Sequence, residues 1–96
     1  MRKYEIMYIV NASLEDAKRA EVISNLHEII TTNGGNITDV NEWGLKEFAY
    51  KIEDMSKGYY VVLNFEANNE CLAEFDRLIG INKNVIRYMI VNKEGK

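Results

Sequence analysis

The order in which strand and helix patterns follow one another is the feature that most restricts how this chain can fold. Four short segments are rich in aromatic and β-branched residues, as β-strands are. Two longer segments repeat apolar residues at helical spacing. The six segments occur in the order strand, helix, strand, strand, helix, strand, and few compact arrangements accommodate that order.

The predicted strands cover residues 3–10, 37–51, 59–65 and 85–91. Gly44 interrupts the second strand and predicts a bulge or a bend there. A polar connection over residues 53–58 is expected to join the second strand to the third.

Each predicted helix follows a capping residue. Ser13 is the expected N-cap of the first helix, with Asp16 in its first turn, and the sequence NGG at 33–35 ends it. Asn68 or Asn69 can cap the second. The residues expected to face the core are Ala17, Val22, Ile23, Leu26, Ile29, Ile30, Leu72, Phe75, Leu78 and Ile79.

Two split β-α-β units within 96 residues favour one architecture. We predict an α+β, ferredoxin-like fold, in which a four-stranded antiparallel sheet carries both helices on one face. Right-handed crossovers give the spatial strand order fourth, first, third, second. The whole chain, residues 1–96, is expected to form a single domain.

The composition excludes several classes of protein. Twelve Lys and Arg against 15 Asp and Glu give a net charge of −3, whereas proteins that coat nucleic acid by bulk charge are clearly basic. The single Cys71 excludes a disulfide framework and a cysteine-based metal site. No apolar run approaches the roughly 20 residues of a membrane span. We therefore expect a cytoplasmic protein with no membrane partner.

Residues that commonly perform catalysis are scarce. His27 is the only histidine, and its position on a helix is typical of a solvated or structural side chain. The sequence has no phosphate-binding glycine loop and no metal-ligand spacing. Acylphosphatases share this size and strand order, but they need a glycine-rich cradle with an arginine where this chain has NASLED at 11–16. We expect no enzyme activity, no cofactor, no metal and no small-molecule substrate.

The uncovered face of the predicted sheet carries apolar residues. A face that meets only water should be polar, yet neither face of the first and last strands is fully polar, whichever of the two the helices cover. The open face is expected to carry apolar residues such as Met7, Ile9, Met89 and Val91. This pattern is explained either by scattered surface residues or by a binding partner.

The basic residues at the two chain ends are predicted to meet. Because the first and last strands are antiparallel neighbours, Arg2 and Lys3 should lie beside Lys93 and Lys96. Nucleic acid, an acidic partner or solubility alone could account for such a corner.

A second pattern is typical of RNA-binding proteins. Residues 57–62 (KGYYVV) partly match the core of an RNA-recognition motif, with Tyr60 in place of a small residue and Val61 in place of a stacking aromatic. A free-standing RNA-recognition module is therefore an alternative hypothesis. A regulatory domain of the same fold that binds a metabolite between subunits is another.

The whole chain, from Arg2 to about Lys93, resembles the small-subunit ribosomal protein S6 family of bacteria and organelles. The matching segments are RKYEIMYI at 2–9, NGG at 33–35, WGLKEFAYKI at 43–52, GYY at 58–60, EFDRL at 74–78 and NVIRY at 84–88. The third resembles the signature G-x-[K/R]-x-L-A-Y-x-I, with Phe48 in place of leucine and Glu47 where many members have a second basic residue.

The resemblance implies a structural role in translation, without catalysis. Members bind the central domain of the small-subunit ribosomal RNA, on the platform, together with ribosomal protein S18. The RNA-binding residues that the resemblance and their positions suggest are Arg2, Lys3, Lys46, Tyr50, Arg87 and Lys93. The partner-binding residues expected on the open sheet face and its edge are Met7, Tyr60, Val62 and Met89.

Overall fold

The computed structural model of the chain describes residues 1–52 and 55–93, and for residues 48–52 and 55–56 the backbone alone. The elements are β1 (Arg2–Asn11), α1 (Asp16–Thr32), β2 (Asn36–Ile52), β3 (Met55–Ala67), α2 (Asn69–Gly80) and β4 (Val85–Asn92). They form one sheet in the order β2-β3-β1-β4, with antiparallel pairing throughout. The predicted fold class and strand order are confirmed.

The core lies between the sheet and the two helices, because side chains alternate between the two faces of each strand. In β1 the even-numbered residues Tyr4, Ile6, Tyr8 and Val10 point to the helices and are buried. An aromatic cluster joins the layers: the ring of Phe65 on β3 lies 5.7 Å from that of Tyr4 and 5.6 Å from that of Phe75 on α2. The other core residues are Val22, Ile23, Leu26, Ile30, Val61, Leu63, Ala67, Cys71 and Ile79.

The helix caps confirm one prediction and correct another. Asn68 caps α2, since its side-chain oxygen accepts a hydrogen bond from the backbone N–H of Cys71 at 2.8 Å. Ser13 does not cap α1: the N-cap position is Glu15, which makes no side-chain capping bond. Ser13 instead donates from its backbone N–H and its hydroxyl to Asn11 Oδ1, which closes a turn before the helix.

The β2–β3 ladder extends beyond the predicted strands. Met55 to Gly58, predicted as part of a polar connection, belong to β3, where Gly58 pairs with Lys46 and Lys57 with Glu47. Antiparallel backbone pairing needs no apolar side chains, so hydrophobicity alone placed this boundary wrongly. The bulge predicted at Gly44 is confirmed, with a register shift between Glu42 and Gly44 and a φ of 89° at Gly44.

Two adjacent glycines after α1 predict different mutational effects. Gly35→Ala would place a Cβ 2.7 Å from Ile30 Cγ2 and 2.9 Å from the Glu66 carbonyl oxygen, so we expect a loss of about 3 kcal/mol in the free energy of unfolding. Gly34 has a φ of 90° and open space around it, so Gly34→Ala should cost about 1–2 kcal/mol. Asparagine tolerates positive φ, so Gly34→Asn should be milder than Gly34→Ala, whereas Gly35→Asn should be no milder than Gly35→Ala. Urea unfolding measures all four, and equal losses at both positions would contradict the packing argument.

Candidate interaction surface

The face of the sheet opposite the helices is uncovered, and we call it the open face. Its central row places Met7 of β1 directly between Val62 of β3 and Met89 of β4. In the next row, Ile9 lies between Tyr60 and Arg87. All four predicted partner-binding residues therefore lie in two adjacent rows of one surface.

The open face is apolar at its centre and polar at its rim. Ile9 and Val62 are only 7% and 8% exposed although no helix covers them. Met89 is 58% exposed and Val91 is 42% exposed. A shallow groove crosses this area, and it is lined by Glu5, Met7, Trp43, Val62, Met89 and Val91. Such a contiguous exposed patch with a polar rim marks an interaction site more often than scattered surface residues do.

Trp43 is the residue of this surface that the sequence analysis missed. It lies at the bulge of β2, and its ring stacks parallel to that of Tyr60, with centroids 6.3 Å apart and an interplanar angle of 9°. The side chain is nonetheless 48% exposed. A bulge re-aims side chains, so a tryptophan directly before the bulge glycine was the available signal.

The predicted basic corner exists, but it is divided between two faces. The backbone N–H of Lys93 donates to the Lys3 carbonyl at 2.8 Å, and both side chains lie on the open face. Arg2 is exposed and alternates to the opposite face, opposite the buried Ala67. Lys96 lies outside the described residues.

Two other predicted RNA-binding residues, Arg87 and Lys46, lie at the far end of the open face. Arg87 pairs with Ile9, and Lys46 pairs with Gly58 on the opposite edge of the sheet. Arg87 and Lys93 are six positions apart, which corresponds to about 20 Å along a strand. The side chain of Tyr50 lies outside the described part of the structure. The basic residues therefore flank the apolar centre at both ends.

Carboxylates accompany these basic residues. Glu5 lies between Asn64 and Val91 on the open face, and its Oε1 is 3.9 Å from Lys93 Nζ. Glu66 lies directly opposite Lys3. The mixed charges neutralise part of the positive potential, so this face alone offers few free phosphate-binding groups.

The structure counts against the RNA-recognition-module hypothesis. Val61, at the position where that motif needs a stacking aromatic, is fully buried toward the helices. Tyr59 also faces the helix side, where its hydroxyl donates to Glu42 at 2.6 Å and the Arg19 guanidinium lies 4.1 Å from its ring centroid. The motif's two stacking positions are thus on the wrong face of the sheet.

Polar side chains between α1 and the sheet have structural partners. The fully buried Tyr8 hydroxyl is 3.0 Å from His27 Nε2, which makes His27 a structural side chain. Burial raises the pKa of Tyr8. The hydrogen bond to Glu42 is the main cause of a raised pKa at Tyr59. The polar side chains between α1 and the sheet therefore have a structural role.

His27 is expected to make the protein less stable in acid. Burial lowers the pKa of His27, and the nearby Glu42 carboxylate opposes this only in part. The histidine of the unfolded chain titrates at about pH 6.5. Below that pH the unfolded chain therefore binds more protons than the folded chain. The stability contributed by neutral His27 is complete above that pH and is lost as the pH falls through the lower pKa of the folded state.

Urea unfolding of the wild type and of His27→Gln, at about pH 7.5 and about pH 5, measures this contribution. Glutamine can still hydrogen-bond Tyr8 but does not titrate. The wild type should lose more stability on acidification than the variant, because the carboxylates are common to both. Equal losses would contradict a role for His27.

Neither a metal-binding cluster nor a reactive thiol is found among the described residues. Within residues 1–52 and 55–93, no group of three His, Cys, Asp or Glu side chains could hold a metal ion. Cys71 is buried, its thiol is 3.5 Å from the Ile30 carbonyl oxygen, and burial raises its pKa. A raised pKa disfavours the reactive thiolate. No helix in the same residues is long and apolar enough to cross a membrane.

Known proteins resemble this chain over nearly its full length. The family model of ribosomal protein S6 matches residues 3–92. Small ribosomal subunit protein bS6 of Shouchella clausii (strain KSM-K16) is 47% identical over 94 residues, which cover 98% of this chain and 99% of that protein. The crystal structure of 30S ribosomal protein S6 from Thermotoga maritima superposes with a TM-score of 0.91 at 26% identity, over 97% of this chain and 88% of that one. The chain therefore belongs to the ribosomal protein S6 family, as a structural, non-enzymatic protein of the cytoplasmic small ribosomal subunit.

Proposed function

We propose that the protein binds the central domain of the small-subunit ribosomal RNA, on the platform, cooperatively with ribosomal protein S18. The observation that carries the proposal is the layout of the open face, where an apolar centre is flanked at both ends by basic side chains. Such a surface suits two partners at once, a protein at the centre and phosphates at the ends.

The apolar centre is the proposed site for S18. Met7, Val62 and Met89 form one row, and Tyr60 follows in the next. Covering this row would remove apolar surface from water at about 25 cal/mol per Å². The 58% exposure of Met89 means that much of this gain is still available to a partner.

The basic ends are the proposed sites for RNA. Lys3 and Lys93 lie together at one end, and Arg87 and Lys46 lie at the other end, on opposite edges of the sheet. Arg2 and Tyr50 complete the proposed RNA-binding residues. Arg2 and Arg87 have the better chemistry for the role, because a guanidinium binds a phosphate through two parallel hydrogen bonds.

Cooperativity follows from the charge of the chain. Affinity that depends on neutralising phosphates increases with the number of basic contacts, and this protein has a net charge of −3. It should therefore bind RNA weakly by itself. A basic partner docked on the open face would supply further phosphate contacts and would make the second binding event intramolecular.

Removing a phosphate contact should lower the salt dependence of RNA binding. For the complex with S18 on a central-domain RNA fragment, we expect Lys3→Ala and Arg87→Ala each to reduce the slope of log K against log salt concentration by about 1. Filter binding at several salt concentrations measures the slope. Lys18→Ala is the matched control, since Lys18 is exposed on α1 and already pairs with Glu21. Unchanged slopes for both test variants would contradict the assigned RNA-binding residues.

A further inference from the structure

The groove on the open face has two apolar walls and one charged end. Trp43 forms one wall, Met89 and Val91 form the other, and Met7 and Val62 form the floor. Glu5 is the only ionisable residue among the six that line it. The groove is therefore shaped for an apolar group that lies next to a positive charge.

Trp43 is well suited to be the anchor of this groove. Its stacking on Tyr60 fixes the ring before any partner arrives, so little side-chain entropy remains to be lost on binding. The ring is 48% exposed, so a partner can still cover a large apolar area. Tryptophan, tyrosine and arginine are the residues most often found at the energetic centre of interfaces.

The Glu5 carboxylate makes the groove selective for a positively charged group. Its side chain is 35% exposed, and the Lys93 ammonium lies at 3.9 Å, the outer limit of an ion pair. A closer cation could therefore replace Lys93 at this carboxylate. A phosphate could not, because Glu5 would repel it. These charges favour a basic protein over RNA in this part of the open face.

We propose that the groove receives an apolar side chain of the protein partner, and that a neighbouring lysine or arginine of the same partner pairs with Glu5. This inference rests on the proposed function, in which the partner is S18. The acidic chain and a basic partner are complementary overall, and Glu5 concentrates that complementarity beside the apolar contact. Trp43 is the apolar anchor of the contact, and Glu5 sets the identity and orientation of the segment that binds.

Titration calorimetry with purified S18 tests this assignment. We expect Trp43→Ala to raise the Kd about 30-fold or more, as for a central tryptophan anchor. Glu5→Gln should raise it about tenfold, and Glu5→Lys more, because it brings like charges together. Thermal unfolding of each variant shows whether the fold is retained.

Two matched controls separate the groove from general surface effects. Leu45 is 56% exposed on the same strand as Trp43 but pairs with Tyr59, on the helix side of the sheet. Glu28 is exposed on α1, away from the open face. Leu45→Ala and Glu28→Gln should each leave the Kd within about twofold of the wild-type value.

The outcomes distinguish this inference from the proposed function. If the wild type binds S18 and folded Trp43→Ala and Glu5→Gln variants bind it equally well, the groove is not the contact and only the inference is overturned. If Glu5→Gln alone has no effect, the paired cation is overturned. If the wild-type protein does not bind S18, the proposed partnership fails, and this inference fails with it.

Discussion

Phe75→Ala is expected to lower the free energy of unfolding by about 3–5 kcal/mol, the usual cost of removing a buried phenyl ring. Phe75 is fully buried on α2, and its ring meets the edge of Phe65 at a centroid distance of 5.6 Å. Alanine would leave a cavity between α2 and β3, which the rigid sheet cannot close. A domain of this size has about 5–15 kcal/mol of stability in total, so the variant should be only marginally folded.

Equilibrium urea unfolding measures the change through the midpoint and the slope. The control is Ile81→Ala, because Ile81 directly follows α2 and is 66% exposed. It should change the stability by no more than about 0.5 kcal/mol. A loss of less than about 1 kcal/mol for Phe75→Ala would mean that the aromatic cluster is not the centre of the core.

Met89→Glu should produce the largest loss of partner binding, with the Kd for S18 raised about 100-fold or more. Met89 lies beside Met7 in the central row of the open face. In the complex a glutamate there would be buried against apolar side chains. This should cost about 3 kcal/mol or more of binding free energy. In the free protein residue 89 is 58% exposed, so the fold itself should tolerate the change.

Titration calorimetry of the folded variant against S18 measures this loss. Ile81→Glu carries the same charge on an exposed apolar site outside the open face, and it should bind S18 as the wild type does. If Met89→Glu binds within about twofold of the wild-type Kd, the open face is not the S18 site, and the edges of the sheet become the alternative.

The features that could be predicted from the sequence are those that depend on local periodicity. Alternation in β1 correctly placed Tyr4, Ile6, Tyr8 and Val10 on one face of the sheet, and the order of elements determined the topology. The cap at Asn68 was predictable because capping is a short-range hydrogen bond. The same patterns placed Met7 and Met89 on one face of the sheet.

The features that could not be predicted depend on contacts distant in sequence or on competing local bonds. Ser13 closes a turn with Asn11 instead of capping α1, and both options have the same sequence signal. The contact between Tyr8 and His27 joins residues 19 positions apart. The parallel stack of Trp43 on Tyr60 depends on a bulge whose presence was predicted but whose effect on side-chain direction was not.

The basic residues illustrate the same distinction. The adjacency of Lys3 and Lys93 follows directly from antiparallel pairing of β1 with β4. The position of the other basic residues at the two ends of the open face depends on the exact register between the strands. A shift of one residue would move every side chain to the other face, and the structure is what fixes the register.

The cooperative structural role is tested by the binding of a central-domain fragment of small-subunit ribosomal RNA, measured at one fixed salt concentration with and without S18. We predict weak binding by the protein alone and at least a tenfold tighter complex, by about 1.4 kcal/mol, when S18 is present. An affinity that S18 leaves unchanged, or equally tight binding to an unrelated single-stranded RNA, would contradict the cooperative structural role.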